Sequence, residues 1–142
     1  MRPTNAICVC AHAQRLVFDL PIGPGERGVA NLLPDPESEA WGVAYQISLD
    51  QAEWLDRTEG VPAGGYRRVS LEVTTLDGET LVAYTYSSHR GVHGRKPSPR
   101  YMGIVLAGAR HHGLPADWIA WLASLDLAVD EREPARPVSS AC

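Results

Sequence analysis

The spacing of apolar and polar positions divides the chain into short segments of two periods. Ala6–Ala11 ("AICVCA") and Arg15–Leu20 ("RLVFDL") are rich in strand formers and read as two strands. "PIGPGERG" then breaks any ladder with Pro and Gly, so it reads as a loop. "VANLL" and "AWGVAYQI" read as two further strands separated by a turn at "PDPESE". At Ser48 the period changes. Ser48 and Gln51 fit a capping box, with Ile47 placed to staple onto Ala52, and predict a helix from Leu49 to Thr58 that stops at Gly60. Trp54 and Leu55 are expected to face inward.

Alternation resumes in "GYRRVSLEVTTL", where Tyr66 and Arg68 oppose Val69, Leu71 and Val73. Asp77-Gly78 predicts a hairpin turn, because both residues tolerate positive φ, and "ETLVAYTYSS" returns as the partner strand. "HRGVHGRKPSP" is a polar loop of a length that often carries function. Ser98 can cap a helix that begins at Pro99, where the missing N–H costs nothing. Tyr101, Ile104, Val105 and Gly108 share one face of that helix, and Gly113 ends it. A second short helix, from Pro115 to about Leu125, carries Trp118, Ile119, Trp121 and Leu122. The pattern predicts an α+β fold: a small, mostly antiparallel, barrel-like sheet with helices packed outside. One domain is expected over residues 1–125, with a disordered tail over 126–142.

Composition narrows the function classes. The 142 residues carry 44% hydrophobic and 21% charged positions and a net charge of −4, which suits a soluble globular domain. The basic residues are scattered, so neither nucleic acid nor an anionic membrane is an expected partner. Cys8, Cys10 and Cys142 form an odd set without metal-ligand spacing. Cys8 and Cys10 would share one face of a strand, so a mutual disulfide is disfavoured and a reducing compartment is expected. The first residues show no signal peptide and no membrane span, which makes the expected address cytoplasmic.

Candidate chemistry is sparse. The five histidines include His89 and His93 in one loop and the His111-His112 pair near a helix end. No recognisable ligand spacing joins them to Asp, Glu or Cys, so they read as solvated and no metal is expected. No nucleophile elbow is present, and the glycines of "GVPAGGY" do not make a phosphate loop. Glu59 stands out by its setting. A carboxylate at a helix C-terminus meets the negative end of the dipole, and burial beside Trp54 would also disfavour its charge. Both effects push it toward the range of a general base and acid. Tyr66 and Tyr101 read either as core aromatics or as substrate ligands.

The segments "AWGVAYQI", "LDRTEGVPAGGYRRVSLEV" and "PSPRYMGIVLAGARHHGLP", with the spacing between them, resemble the gamma-glutamylcyclotransferase family from about Gly28 to Leu125. "TNAICVCAHAQRLVFDL" matches the family's second and third segments less closely. The resemblance implies a small barrel that binds the gamma-glutamyl end of its substrate and cyclises it to 5-oxoproline, releasing an amine or amino acid. It implies that Glu59 is the general base and that Tyr66 and Tyr101 lie near the substrate. No cofactor is implied, because the substrate's own α-amine is the nucleophile.

The family opens with a strand ending in a Tyr-Gly-Ser-Asn loop whose backbone amides clasp the glutamyl group. No such run occurs in this sequence. Three readings stay open: a truncated chain or a start placed too late, oxyanion donors from another loop, or a non-catalytic relative acting as a small-ligand-binding or protein-interaction module. A missing first strand would expose an edge beside the strand of Ile7 and Val9, where a second copy could pair as a homodimer.

Overall fold

The computed structural model describes residues 4–58 and 66–129. Four strands and three helices follow in the order β1 (Thr4–Pro21), β2 (Gly28–Gln46), α1 (Leu49–Thr58), β3 (Arg67–Thr75), β4 (Thr80–Ser87), α2 (Pro99–His111) and α3 (Ala116–Ala123). The strands form one sheet in the order β2-β1-β3-β4, with β1–β3 and β3–β4 antiparallel. The fold is α+β, as the pattern predicts. No helix among the described residues is long and apolar enough to cross a membrane.

Two expected breaks are absent. The polar stretch between "AICVCA" and "RLVFDL" contains no Pro or Gly, and β1 runs through it with Ala13 at φ 58°, a left-handed kink within the strand. At "PDPESE" the Asp35 carboxylate accepts from the Glu37 N–H (3.0 Å) and the Ser38 hydroxyl (2.8 Å). These bonds tie the proline-flanked stretch locally, and β2 continues past it. The edge expected beside Ile7 and Val9 is also corrected, because β1 is central and bonded to β2 and β3.

Contacts group the chain into two compact units where one domain over 1–125 is expected, Met1–Leu16 with Asn31–Arg90 and Val17–Ala30 with Gly91–Cys142. In the first unit, Val9, Ala11 and Val73 form a buried cluster, with Ala44, Leu71, Leu81 and Ala83 packed against it. The register pairs Ala11 with Val73 and Val73 with Leu81, so one face of three strands supplies this core. Buried Asn31 on β2 ties that strand to the end of β4. Its amide donates to the Ser88 carbonyl (3.0 Å) and its oxygen accepts from the Ser88 N–H (3.2 Å), while the Ser87 hydroxyl donates to the Leu32 carbonyl (3.0 Å).

The capping box at α1 forms in both directions. The Ser48 hydroxyl accepts from the Gln51 N–H (3.1 Å), and the Gln51 side chain accepts from the Ser48 N–H (2.8 Å). Its inward stripe is Ala52, Leu55 and Asp56, spaced by three and four residues, whereas Trp54 is 47% exposed. The expected inward Trp54 is therefore corrected. The hairpin between β3 and β4 has a three-residue loop closed by the Thr75 N–H and Glu79 carbonyl (2.9 Å). Only Gly78 of the Asp-Gly pair takes positive φ, 89°.

In the second unit, Ser98 caps α2 by accepting from the Tyr101 N–H (3.1 Å), with Pro99 first in the helix. The helix ends in a Schellman motif: Leu114 N–H reaches the Ala109 carbonyl (3.0 Å), Gly113 N–H reaches Arg110 (3.2 Å), and Gly113 sits at φ 73°. Met102 and Ala109 are the fully buried positions of α2, and the expected face of Tyr101, Ile104, Val105 and Gly108 is half-buried. Leu122 anchors α3, and Trp118 stacks on Trp121 at 4.7 Å. The long polar loop is stitched to the first hairpin by Val92 N–H to Asp19 carbonyl, Gly28 N–H to Lys96 carbonyl and Lys96 N–H to Glu26 carbonyl, each 2.7 Å. Residues 126–129 are not a loose tail. Ala128 is buried and donates its N–H to the Pro97 carbonyl (2.8 Å), and Val129 N–H meets the Glu26 carboxylate (2.7 Å). Residues 130–142 lie outside the described residues.

Asn31→Ala should lower unfolding stability by about 2 kcal/mol or more, because two buried Ser88 backbone groups lose their partner. Ser98→Ala should cost about 1 kcal/mol and Ser98→Gly only about a few tenths. Urea denaturation of the three variants checks both expectations.

Candidate active site

The first unit carries a half-open cavity of about 890 Å³, within the roughly 300–1,000 Å³ range of small-molecule sites. Ile7, Val9 and Ala11 of β1, Leu71 and Val73 of β3 and Leu55 of α1 supply apolar wall. Its polar positions come from Tyr45 and Gln46 at the end of β2, Glu79 at the hairpin, and Tyr84 and Tyr86 on β4. A mostly apolar wall with a few polar groups suits a ligand held by shape and oriented by hydrogen bonds.

One flank of the cavity is electrostatically organised. The Tyr86 hydroxyl donates to Asp56 Oδ1 (2.7 Å), Arg68 Nη1 lies 3.1 Å from Asp56 Oδ2, and the Arg68 guanidinium sits 4.7 Å from the Tyr84 ring centroid. Burial first, and then the hydrogen bond to Asp56, raise the Tyr86 pKa above its ordinary value. Tyr86 is thus a fixed neutral donor and not a base. The network joins α1, β3 and β4. Tyr84 and Tyr86, two apart on a strand, are a legible same-face pair, but nothing local identifies Asp56 and Arg68 as their partners.

The residues singled out from sequence fare differently. Glu59 lies outside the described residues; the elements on either side of it in sequence, α1 and β3, both contribute to the cavity wall. Tyr66 is half-buried immediately before β3 in the first unit. Tyr101 belongs to the second unit, where its hydroxyl accepts from the Ala30 N–H (3.0 Å) and its ring meets Phe18 edge-to-face at 6.1 Å. Its hydroxyl already has a structural partner.

A second constellation escapes the sequence pattern. Cys10, His12 and Glu39 place a thiol, an imidazole nitrogen and a carboxylate oxygen within 4.8 Å of one another. His12 Nδ1 is 3.0 Å from Glu39 Oε2, and His12 Nε2 is 2.8 Å from Thr74 Oγ1. Burial, followed by the charge and hydrogen bond of Glu39, pushes the Cys10 thiol up to about 11, so at neutral pH it is a thiol and no nucleophile. The expectation of solvated histidines rested on His89, His93, His111 and His112. The Cys-x-His alternation at 10–12 was the available signal, and the third group comes from another strand.

Comparisons with known proteins agree with this architecture. The chain is 27% identical to mouse Gamma-glutamylcyclotransferase over 122 residues, covering 82% of this chain and 64% of that protein. It is 31% identical to the human Gamma-glutamylcyclotransferase over 91 residues, 64% of this chain and 48% of the relative. Against Gamma-glutamyl cyclotransferase gliK of Claviceps purpurea (strain 20.1) it is 32% identical over 127 residues, 81% of this chain and 55% of that one. The chain therefore spans roughly half to two-thirds of the length of these curated relatives. A solved structure of a Gamma-glutamyl cyclotransferase superposes with a TM-score of 0.80 at 23% identity, covering 97% of this chain and 83% of that one. The model of the AIG2-like family matches residues 39–122, from within β2 to within α3. This chain belongs to the AIG2-like family and is a distant homologue of the gamma-glutamylcyclotransferases.

Proposed function

We propose that the protein is a gamma-glutamylcyclotransferase acting on a small gamma-glutamyl amide. The observation that carries this reading is the homology to proteins of that name over about four-fifths of the chain, joined to a ligand-sized cavity in the matched region. In the reaction, Glu59 takes a proton from the substrate's α-ammonium, and the freed amine attacks its own γ-carbonyl. The C–N bond to the leaving group then breaks as Glu59 returns the proton to the departing amine, and the ring nitrogen gives up its second proton, so that the amine leaves as an ammonium. The products are 5-oxoproline and an amine or amino acid. The attacking atom belongs to the substrate, so the step requires no enzyme nucleophile, metal or cofactor.

The physical setting supports Glu59 in that role. It follows α1 directly, four residues after Leu55, and Leu55 lines the cavity. Tyr84 offers a hydroxyl donor along the β4 wall, and the Tyr86 hydroxyl, whose proton goes to Asp56, offers an acceptor. Tyr66 and Tyr101 are proposed substrate ligands, and for Tyr101 that role is additional to the Ala30 bond. Cys8 and Cys10, not joined to each other in a disulfide, suit a reducing, cytoplasmic address. Pairing with a second copy would use β2 or β4, the terminal strands of the sheet.

One observation favours a second reading, a small-ligand-binding relative without turnover: the cavity wall is mostly apolar, and the Tyr86 hydroxyl proton on it is committed to Asp56. Release of 5-oxoproline from a panel of gamma-glutamyl amides separates the two. Turnover supports the enzyme; saturable binding without turnover supports the second reading.

Glu59→Gln should lower the rate by about a hundredfold to ten-thousandfold while the thermal midpoint changes little, since an amide of the same shape replaces the carboxyl. Near-normal turnover would remove Glu59 from the mechanism. Tyr101→Phe should reduce kcat/KM by about 1–2 kcal/mol, roughly five- to thirtyfold. The same variant should lose about 0.5–1.5 kcal/mol of stability, because the Ala30 amide loses its acceptor. A stability loss with unchanged kinetics would leave Tyr101 a purely structural residue.

A further inference from the structure

The cluster on β1 and β2 has the composition of a transition-metal site. Cys10 and His12 are two residues apart on β1, so they share a face, and it is the face opposite Val9 and Ala11, which line the cavity. Glu39 on β2 completes a thiol, imidazole and carboxylate set whose ligand atoms lie within 4.8 Å. Two donors on one tetrahedral zinc stand about 3.3–3.6 Å apart, given bonds of roughly 2.0–2.3 Å. The existing separations are therefore within reach of small side-chain rotations. The His12 and Glu39 side chains are 49% and 58% exposed, which leaves an approach for the ion and an open fourth position for water.

Thr74 on β3 adds an outer partner. As the groups stand, Nδ1–H donates to Glu39 Oε2 and Nε2 accepts from the Thr74 hydroxyl; with an ion between Nδ1 and Glu39, the ring takes the other tautomer and Nε2–H donates to Thr74 Oγ1. A metal ligand of this kind is commonly oriented by such a bond on its other nitrogen. Cys10 lies directly opposite Thr74 in the β1–β3 register, so all four groups occupy one face of three adjacent strands.

We propose that Cys10, His12 and Glu39 form a binding site for a borderline-soft divalent cation, Zn(II) by ligand type, that clasps β1 to β2 on the face away from the cavity. The ion takes the place of the thiol proton, which is released to solvent, and the single imidazole proton passes from Nδ1 to Nε2, where it is donated to Thr74. The site is independent of the proposed cyclisation.

Titration of the tag-free 142-residue chain with Co(II) tests it. One ion per chain should bind with tetrahedral visible absorption and a thiolate-to-metal charge-transfer band, and Zn(II) should displace it and raise the thermal midpoint. Cys10→Ser should abolish the band while Cys8→Ser leaves it intact. His12→Gln and Glu39→Gln, both at exposed positions that the fold tolerates, should each weaken binding by about tenfold or more. Absorption without the thiolate band, a band retained in Cys10→Ser, or unchanged affinity in both exposed variants would overturn the proposal.

Discussion

The two-residue alternation of β1, held at the centre of the sheet, is the constraint on which the rest of the first unit depends. Hydrogen-bonded on both sides, β1 cannot slip by one residue without turning every side chain to the opposite face. Ile7, Val9 and Ala11 therefore wall the cavity, while Cys10 and His12 are committed to the other face beside Glu39 and Thr74. An apolar cavity wall and a polar cluster arise from one short run of β1, Ile7 to His12. Neither could move without the other.

The cavity also needs its outer strands tied. β2 and β4 stand at opposite ends of the strand order, and Asn31 and the Leu32 carbonyl bring them together through Ser88 and Ser87 respectively. Buried amide bonding of this kind specifies one geometry, because each donor left unmatched in the interior carries a penalty. At another point Asp56 joins α1 to β4 through Tyr86 and to β3 through Arg68. The wall is thus fixed by directional bonds where apolar packing alone would leave it free to slide.

In the second unit the same logic operates with shorter elements. The loop over residues 91–98 looks like a place for function in a sequence, since it is polar and long. Its backbone instead pairs with Asp19, Glu26 and Gly28, and the residues after α3 return to Pro97 and Glu26. Those groups would otherwise need water or another partner. The loop's composition records solvent exposure of its side chains, and its hydrogen bonds record a structural task.

Local signals alone determined much of the outcome. The capping box at Ser48 and Gln51, the Ser98-Pro99 helix start, the Gly113 stop and the turn at Gly78 each involve groups within a few residues, so sequence suffices to specify them. The segments that carried the family resemblance were legible for the same reason. Tertiary structure decided what depends on distant partners. Which side of α1 faces inward was set by where β4 and β3 offer Tyr86 and Arg68 to Asp56, and that turned Trp54 outward. The continuity of β1 and β2 through polar stretches was set by ladder bonds to neighbouring strands, which outweigh local turn preference. The convergence of Cys10, His12 and Glu39 could not be read along the chain, because a separation of 27 residues between His12 and Glu39 becomes 3.0 Å only when β1 and β2 lie side by side.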